Sequence, residues 1–296
     1  MCKQKHVFVI IPLACMLALC GCLHWKSDFS DWSAVPVVED PEALLAHANR
    51  LMEQADSREN LLAAINAFQE VLRVEPSNYT ALYEVSNGYL LLGDAYTEQR
   101  REKLRHFRLA LLYSERAMLT NAGFKERIEA GAPVWLAVDA LTTREMEAML
   151  FWSTALFYYY KDGFGPIRQT INYRWITRAR RVLGRMAELD PDWGGGAVHF
   201  SLGLYYLAIP VRVGGDRELS AAYFARAIEA GPDRLLNRWG RARYFHVKMQ
   251  NPDLFVEDLT WILEQDLAAV RGSRAWNIYF FRSAREMLDR VDHFFE

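Results

Sequence analysis

The chain has 296 residues, 51% of them hydrophobic, with 35 basic and 37 acidic residues and a formal net charge of −2. That length holds one large domain or two small ones, and the apolar and aromatic content is enough for a substantial core. The lack of a basic excess argues against a phosphate-backbone partner, so no nucleic acid is expected. All four cysteines (Cys2, Cys15, Cys20 and Cys22) lie at the extreme N-terminus, so nothing after Cys22 can form an internal disulfide or a thiolate metal site.

Residues 1–21 read as a secretory leader. Lys3 and Lys5 form its basic start, and Val7–Leu19 is a continuous apolar run, short for a membrane span and interrupted by Pro12. The run ends in Leu19-Cys20-Gly21-Cys22, which resembles the lipobox of bacterial lipoproteins: an aliphatic residue three before the cysteine and a small one just before it. Cys20 stands where small residues are usual. The resemblance implies cleavage before Cys22 and acylation of that residue. Several acyl chains on one residue hold a domain at a membrane far better than one. Residues 22–40 mix Ser, Asp, Trp and Pro without helical period and read as a lipidated tether.

From residue 41 to 296 the hydrophobic period is helical throughout. Pro41–Pro76 forms a first helix pair, started by Asp40-Pro41 and broken at Asp56-Ser57. Asn78–Leu119 forms a second, with Thr97–Arg108 as a charged, exposed extension. Phe124–Asp139 is a connector. Thr143–Lys161 contains the uncharged run Met149–Tyr160 (MLFWSTALFYYY), and a helix apolar all round is buried or lines an apolar cavity. Lys161–Tyr173 is a long loop, and Tyr173–Leu189 an amphipathic helix. Leu189–Gly196 turns into the helix pair His199–Asp233. Leu235–Met249 and Pro252–Asp266 form another pair, and Ser273–Phe294 is a closing helix that caps the array.

The His199–Asp233 pair carries the clearest repeat signal. Leu202, Gly203 and Tyr206, then Ser220, Phe224, Ala227 and Pro232, resemble the tetratricopeptide pattern of large, small and turn residues. Gly203 permits close helix approach, Ser220 and Ala227 seat the second helix, and Phe224 wedges between repeats. Fainter copies run through Ala64, Phe68, Val71 and Pro76, and through Ala179, Leu183, Met186 and Pro191. The expected fold is all-α: irregular tetratricopeptide-like helix pairs stacked in a right-handed superhelix.

A lipobox followed by such pairs resembles the T-component lipoproteins associated with tripartite ATP-independent periplasmic (TRAP) transporters. The resemblance rests on Tyr205-Tyr206-Leu207-Ala208 with Pro210, on Gly214-Gly215-Asp216, on Ala221–Ile228, on Asp190-Pro191 and on the aromatic stretch Phe157–Phe164. It implies a periplasmic lipoprotein, anchored to the inner or outer membrane, that binds the transporter's solute-binding protein. It also implies a homotrimer with an apolar, channel-like cavity in each subunit. A general scaffold lipoprotein for envelope assembly is the alternative reading.

No H-E-x-x-H, G-x-S-x-G or phosphate-binding glycine loop is present, and the histidines are scattered, so no enzyme activity, metal or cofactor is expected. Cys22 is the expected lipidation site. The aromatic set Trp152, Tyr158, Tyr159, Trp193, Tyr205, Tyr206 and Trp239 either fills the core or lines a ligand groove or tunnel. Two arginine rows, Arg174, Arg178, Arg181 and Arg185, and Arg234, Arg238 and Arg241, either dock an acidic partner or carboxylate ligand, or form solvated helix faces. Gly194-Gly195-Gly196 reads as an inter-helix turn, and Gly214-Gly215-Asp216 as a hairpin loop in which Asp216 caps the next helix.

Overall fold

The structure is a computed structural model that describes Ser27 and residues 40–295; the leader, Cys22 and most of the tether lie outside the described residues. Among these residues the regular structure is helical and no strand occurs, as the periodicity requires. Short polar residues set the helix starts. The Asp40 carboxylate accepts from the Glu42 amide at 3.0 Å, Ser57 Oγ from Asn60 at 3.2 Å, and Asn78 Oδ1 from Ala81 at 2.9 Å. They open α1 (Pro41–Glu53), α2 (Arg58–Val74) and α3 (Tyr79–Ala95).

The chain then departs from expectation in three places. The charged stretch from Thr97 is no extension of two helices. Thr97 Oγ1 closes the end of α3 by donating to the Leu92 carbonyl at 2.9 Å, and α4 (Arg100–Leu119) begins at once. Phe107 within it is fully buried against Gly93, where a Cβ would sit 2.5 Å from its ring. The connector holds a helix of its own, α5 (Ala122–Glu129), capped by Asn121, and then the single turns Val134–Ala137 and Val138–Ala140. The expected long loop after Lys161 is also largely helical. α6 (Met146–Gly163) extends into its first three residues, and α7 (Pro166–Ile171) follows after two more. The reason is hydrogen bonding. Arg100 donates to the Asp162 and Gly163 carbonyls at 2.6 Å each, satisfying the end of α6. Gln169 donates back to the Lys161 and Phe164 carbonyls at 3.2 and 2.9 Å, and the Tyr160 hydroxyl donates to the Gln169 carbonyl.

α8 (Arg174–Leu189) leads to α9 (Trp193–Ala208), whose first turn is irregular because Gly194, Gly195 and Gly196 all have positive φ. At Gly196 a side chain would force the helices apart: a Cβ would lie 2.4 Å from the Ala227 carbonyl oxygen of α10 (Arg217–Ala230). The seating expected of this pair is present. Ser220 Oγ donates to the Gly203 carbonyl at 2.8 Å, Phe224 and Ala227 are fully buried, and Asp216 caps α10 through the Leu219 amide at 2.9 Å. α11 covers Leu235–Gly240, continues as a π-helix over Arg241–His246 and ends in Val247–Met249. α12 (Pro252–Leu263), α13 (Arg274–Leu288) and α14 (Val291–Phe295) complete the chain.

Consecutive long helices pack side by side, but α13 does more than cap the last pair. It returns to the N-terminal half. Trp276 Nε1 donates to Asn87 Oδ1 at 2.7 Å, the Tyr279 hydroxyl to Asp94 at 2.9 Å, and Arg282 to the Ala95 carbonyl at 3.1 Å. The helices thereby close around a central space.

Candidate functional site

That space is lined at helical spacing. From α6 come Glu147, Leu150, Phe151, Thr154, Phe157 and Tyr158, and from α9 Ala197, Phe200, Ser201 and Leu204. Each set follows the i, i+3, i+4, i+7 rule for one helix face. α3 adds Tyr83, Glu84, Asn87 and Leu90, α11 adds Trp239 and Tyr244, and α13 adds Trp276 and Phe280. The cavity they enclose measures about 320 Å³, within the range of small-molecule sites. A second cavity of about 250 Å³ adjoins it, lined by Tyr160, Lys161, Gln169, Leu207, Ala208 and Lys248. Phe157, Tyr158, Leu204 and Tyr244 belong to the walls of both.

The main cavity is apolar with few polar groups. Asn87 donates to Glu84 at 3.0 Å, and burial pushes the Glu84 carboxyl up from its ordinary value. Burial likewise pushes the Tyr83 hydroxyl up to about 12, so it stays protonated at neutral pH. Glu147 accepts from the Tyr79 hydroxyl at 3.3 Å.

Of the seven aromatic candidates, Tyr158, Trp193 and Trp239 line the cavity. The other four do not. Trp152 is buried between α6 and α4, its indole donating to Glu115 at 2.9 Å. Tyr159 accepts from Arg108 at 2.6 and 3.0 Å on the far side of α6. Tyr206 stacks on Tyr223 with ring centroids 5.6 Å apart, and Tyr205 meets Tyr206 edge-on, both beside Arg180. The cause is the roughly 100° turn per helical residue: Phe157 and Tyr158 complete the cavity stripe, and the next step carries Tyr159 round to the α4 side.

The arginine rows are mostly engaged within the chain. Arg178 lies between the rings of Trp135 and Trp175, at 4.0 and 3.9 Å from their centroids. Arg181 grips both oxygens of Asp139 at 2.9 Å, and Arg185 donates to the Leu141 carbonyl at 2.9 Å. Arg174 is exposed. In the second row, Arg234 lines the main cavity, while Arg238 and Arg241 bind the fully buried Asp258 at 3.0 and 2.7 Å. His246 joins them at 3.2 Å. The π-helix explains that convergence, since its i→i+5 register brings Arg241 and His246 to the same carboxylate.

One charged centre was not anticipated. Asp94, whose side chain is wholly buried, lies 3.7 Å from Lys161 and 3.8 Å from Arg243 and accepts from Tyr279. Burial alone would raise its carboxyl, but Lys161, Arg243 and the Tyr279 hydroxyl outweigh that and hold it below its ordinary value. A lone acid in the apolar run Leu90-Leu91-Leu92-Gly93-Asp94 was the available signal, because a buried charge must find partners.

Fold and site together define an all-helical, cavity-bearing protein. Among its described residues no helix is long and apolar enough to cross a membrane, and no group of three or more His, Cys, Asp or Glu could hold a metal ion. The chain belongs to the TRAP transporter T-component family, whose model matches residues 78–295. No curated protein matches it significantly. Membership gives the chain an accessory role in TRAP transport, associated with other components of that transporter.

Proposed function

We propose that this T-component is a periplasmic lipoprotein anchored through Cys22, that it binds the solute-binding protein of its transporter, and that its cavity holds an apolar or amphipathic solute. The cavity carries this reading. An aromatic-walled space of about 320 Å³, framed by residues from both halves of the chain, is more than core packing requires. The exposed surface of α7 and of the turn after α9 is the favoured docking face. Ile167 and Ile171 of α7 are 78% and 54% exposed, and Val211, just after α9, is 70% exposed. Large apolar side chains left in water mark a surface that a partner covers. The arginine rows, already engaged, contribute less, and the trimeric state is what the family resemblance implies.

Sedimentation of the chain mixed with the solute-binding protein encoded beside its gene tests the proposal. A complex is expected in low salt, weakened by Ile167→Asp with Ile171→Asp. Independent sedimentation of the two proteins at concentrations well above micromolar would remove the support for partner binding. The same run with the chain alone reads the oligomeric state.

A further inference from the structure

The junction between the two cavities has a surplus of positive charge and of unused hydrogen-bond donors. Lys161 reaches no carboxylate closer than 3.7 Å (Asp94) or 3.9 Å (Asp162), both beyond hydrogen-bonding range. Its ammonium instead lies over the Tyr158 ring at 4.7 Å and near the Tyr244 ring at 5.8 Å. Arg243 shares the same Asp94, and Lys248 stands on the wall of the smaller cavity, donating to the Leu207 carbonyl at 2.6 Å. Lys161 and Lys248 thus line the smaller cavity, and no Asp or Glu is among its lining residues. The Tyr244 hydroxyl, on the wall of both cavities, is buried and has no hydrogen-bond partner among the described residues. A buried hydroxyl left unpaired is costly, and an ammonium with free N–H groups beside it completes a two-donor site. Burial pulls the Lys161 ammonium down, but the Asp94 and Asp162 carboxylates oppose this, so it remains charged at neutral pH.

The geometry also orients a ligand. Glu147 and Lys161 lie on one helix, about 20 Å apart along its axis at 1.5 Å per residue. The cavity-facing residues between them, Leu150, Phe151, Thr154, Phe157 and Tyr158, carry no charge. Along α6 the path runs from an acidic residue to a basic one with an uncharged stripe between, and Arg234 is the cation on the main-cavity wall.

We propose that Lys161 and Tyr244 form an anion site for the head of an amphiphilic carboxylate, whose hydrocarbon body lies in the main cavity toward Leu150 and Phe151. Lys161 supplies the charge-assisted hydrogen bond and Tyr244 the neutral one. This assignment rests on the proposed solute-holding role of the cavity and names the chemical class it takes.

The test uses the full lipidated chain in lipid nanodiscs, with empty nanodiscs as background. The probes are ω-bromo-octanoate, the matching bromo-octanol and the matching bromo-octylammonium, read by quenching of tryptophan fluorescence. Trp193, Trp239 and Trp276 line the cavity and report a brominated tail within it. The carboxylate is expected to bind about tenfold tighter than the alcohol, and the ammonium most weakly. Lys161→Gln should abolish the preference for carboxylate while leaving alcohol binding intact. Tyr244→Phe, which keeps the ring, should reduce the preference several-fold. Equal binding of carboxylate and alcohol, or a preference that survives Lys161→Gln, overturns the anion site and leaves the cavity role standing. Failure of all three probes to bind overturns both.

Discussion

Replacing Asp94 with Asn tests the charged centre that joins α3, α6, α11 and α13. The change keeps volume and an acceptor for the Tyr279 hydroxyl, now 2.9 Å from the carboxylate, and removes only the negative charge. At separations of 3.7 and 3.8 Å each ion pair is worth about 4 kcal/mol gross at an effective dielectric of 20. Desolvation of the carboxylate opposes that gain. Stripping a buried pair of one partner typically costs about 3–5 kcal/mol. Here the cations keep some water, with the Lys161 and Arg243 side chains 36% and 27% exposed, so the expected loss is smaller, about 2–3 kcal/mol. For a domain of this size that lowers the melting temperature by about 5–10 °C at neutral pH. The pH dependence gives a second reading. The Asp94 carboxyl is held below its ordinary value of 3.8 in the folded chain, so its stabilisation is complete above that value and is lost as pH falls through the folded value. The gap between parent and variant, followed by circular dichroism during thermal unfolding, should be full at pH 7 and shrink below about pH 4. A gap under about 0.5 kcal/mol at pH 7, or one that stays constant into acid, would refute the reasoning.

Two glycines provide a matched pair. Gly196→Ala combines a positive φ of 84° with a Cβ 2.4 Å from the Ala227 carbonyl, so about 3 kcal/mol or more of stability should be lost. Gly214→Ala has φ 106° but nothing within 4 Å, so only the backbone strain of about 1–2 kcal/mol should appear. Urea midpoints separate the two, and equal losses would remove the argument from close helix approach. At the N-terminus, Cys22→Ser should abolish labelling by radioactive palmitate and release the chain from membranes. Labelling that persists, or moves to Cys20, would rule out the proposed anchor.

Local features of the fold were readable before the structure, and distant ones were not. Gly203, Ser220, Phe224 and Ala227 meet across one short loop, so their spacing was sufficient to place them. The return of α13 to α3 joins residues 185 or more positions apart, such as Tyr279 and Asp94, and no local period records it. The site divides the same way. The uncharged run from Met149 to Tyr160 correctly marked α6 as unusual, but composition does not say which face of a helix looks inward. Spacing does: Glu147, Leu150, Phe151, Thr154, Phe157 and Tyr158 form one stripe that excludes Trp152 and Tyr159. The first arginine row was misleading for a related reason. Its partners Trp135 and Asp139 lie in the segment read as a plain connector and Leu141 just beyond it, so the row looked free when it was not.

The polar contacts at the closure have a consequence for the cavity. Helices that meet through apolar side chains alone tolerate small shifts in register, because dispersion contacts are non-directional and easily exchanged. α13 meets α3 through hydrogen bonds at three successive levels: Trp276 to Asn87, Tyr279 to Asp94 and Arg282 to the Ala95 carbonyl. A shift of one turn would break all three and strand Asp94 without its hydroxyl donor. Asn87, Trp276 and Phe280 are also cavity wall. The register of the closure therefore sets the shape of the main cavity. The same Asp94 holds Lys161 at the junction with the smaller cavity, so one buried carboxylate couples closure of the helices to the charge presented inside them.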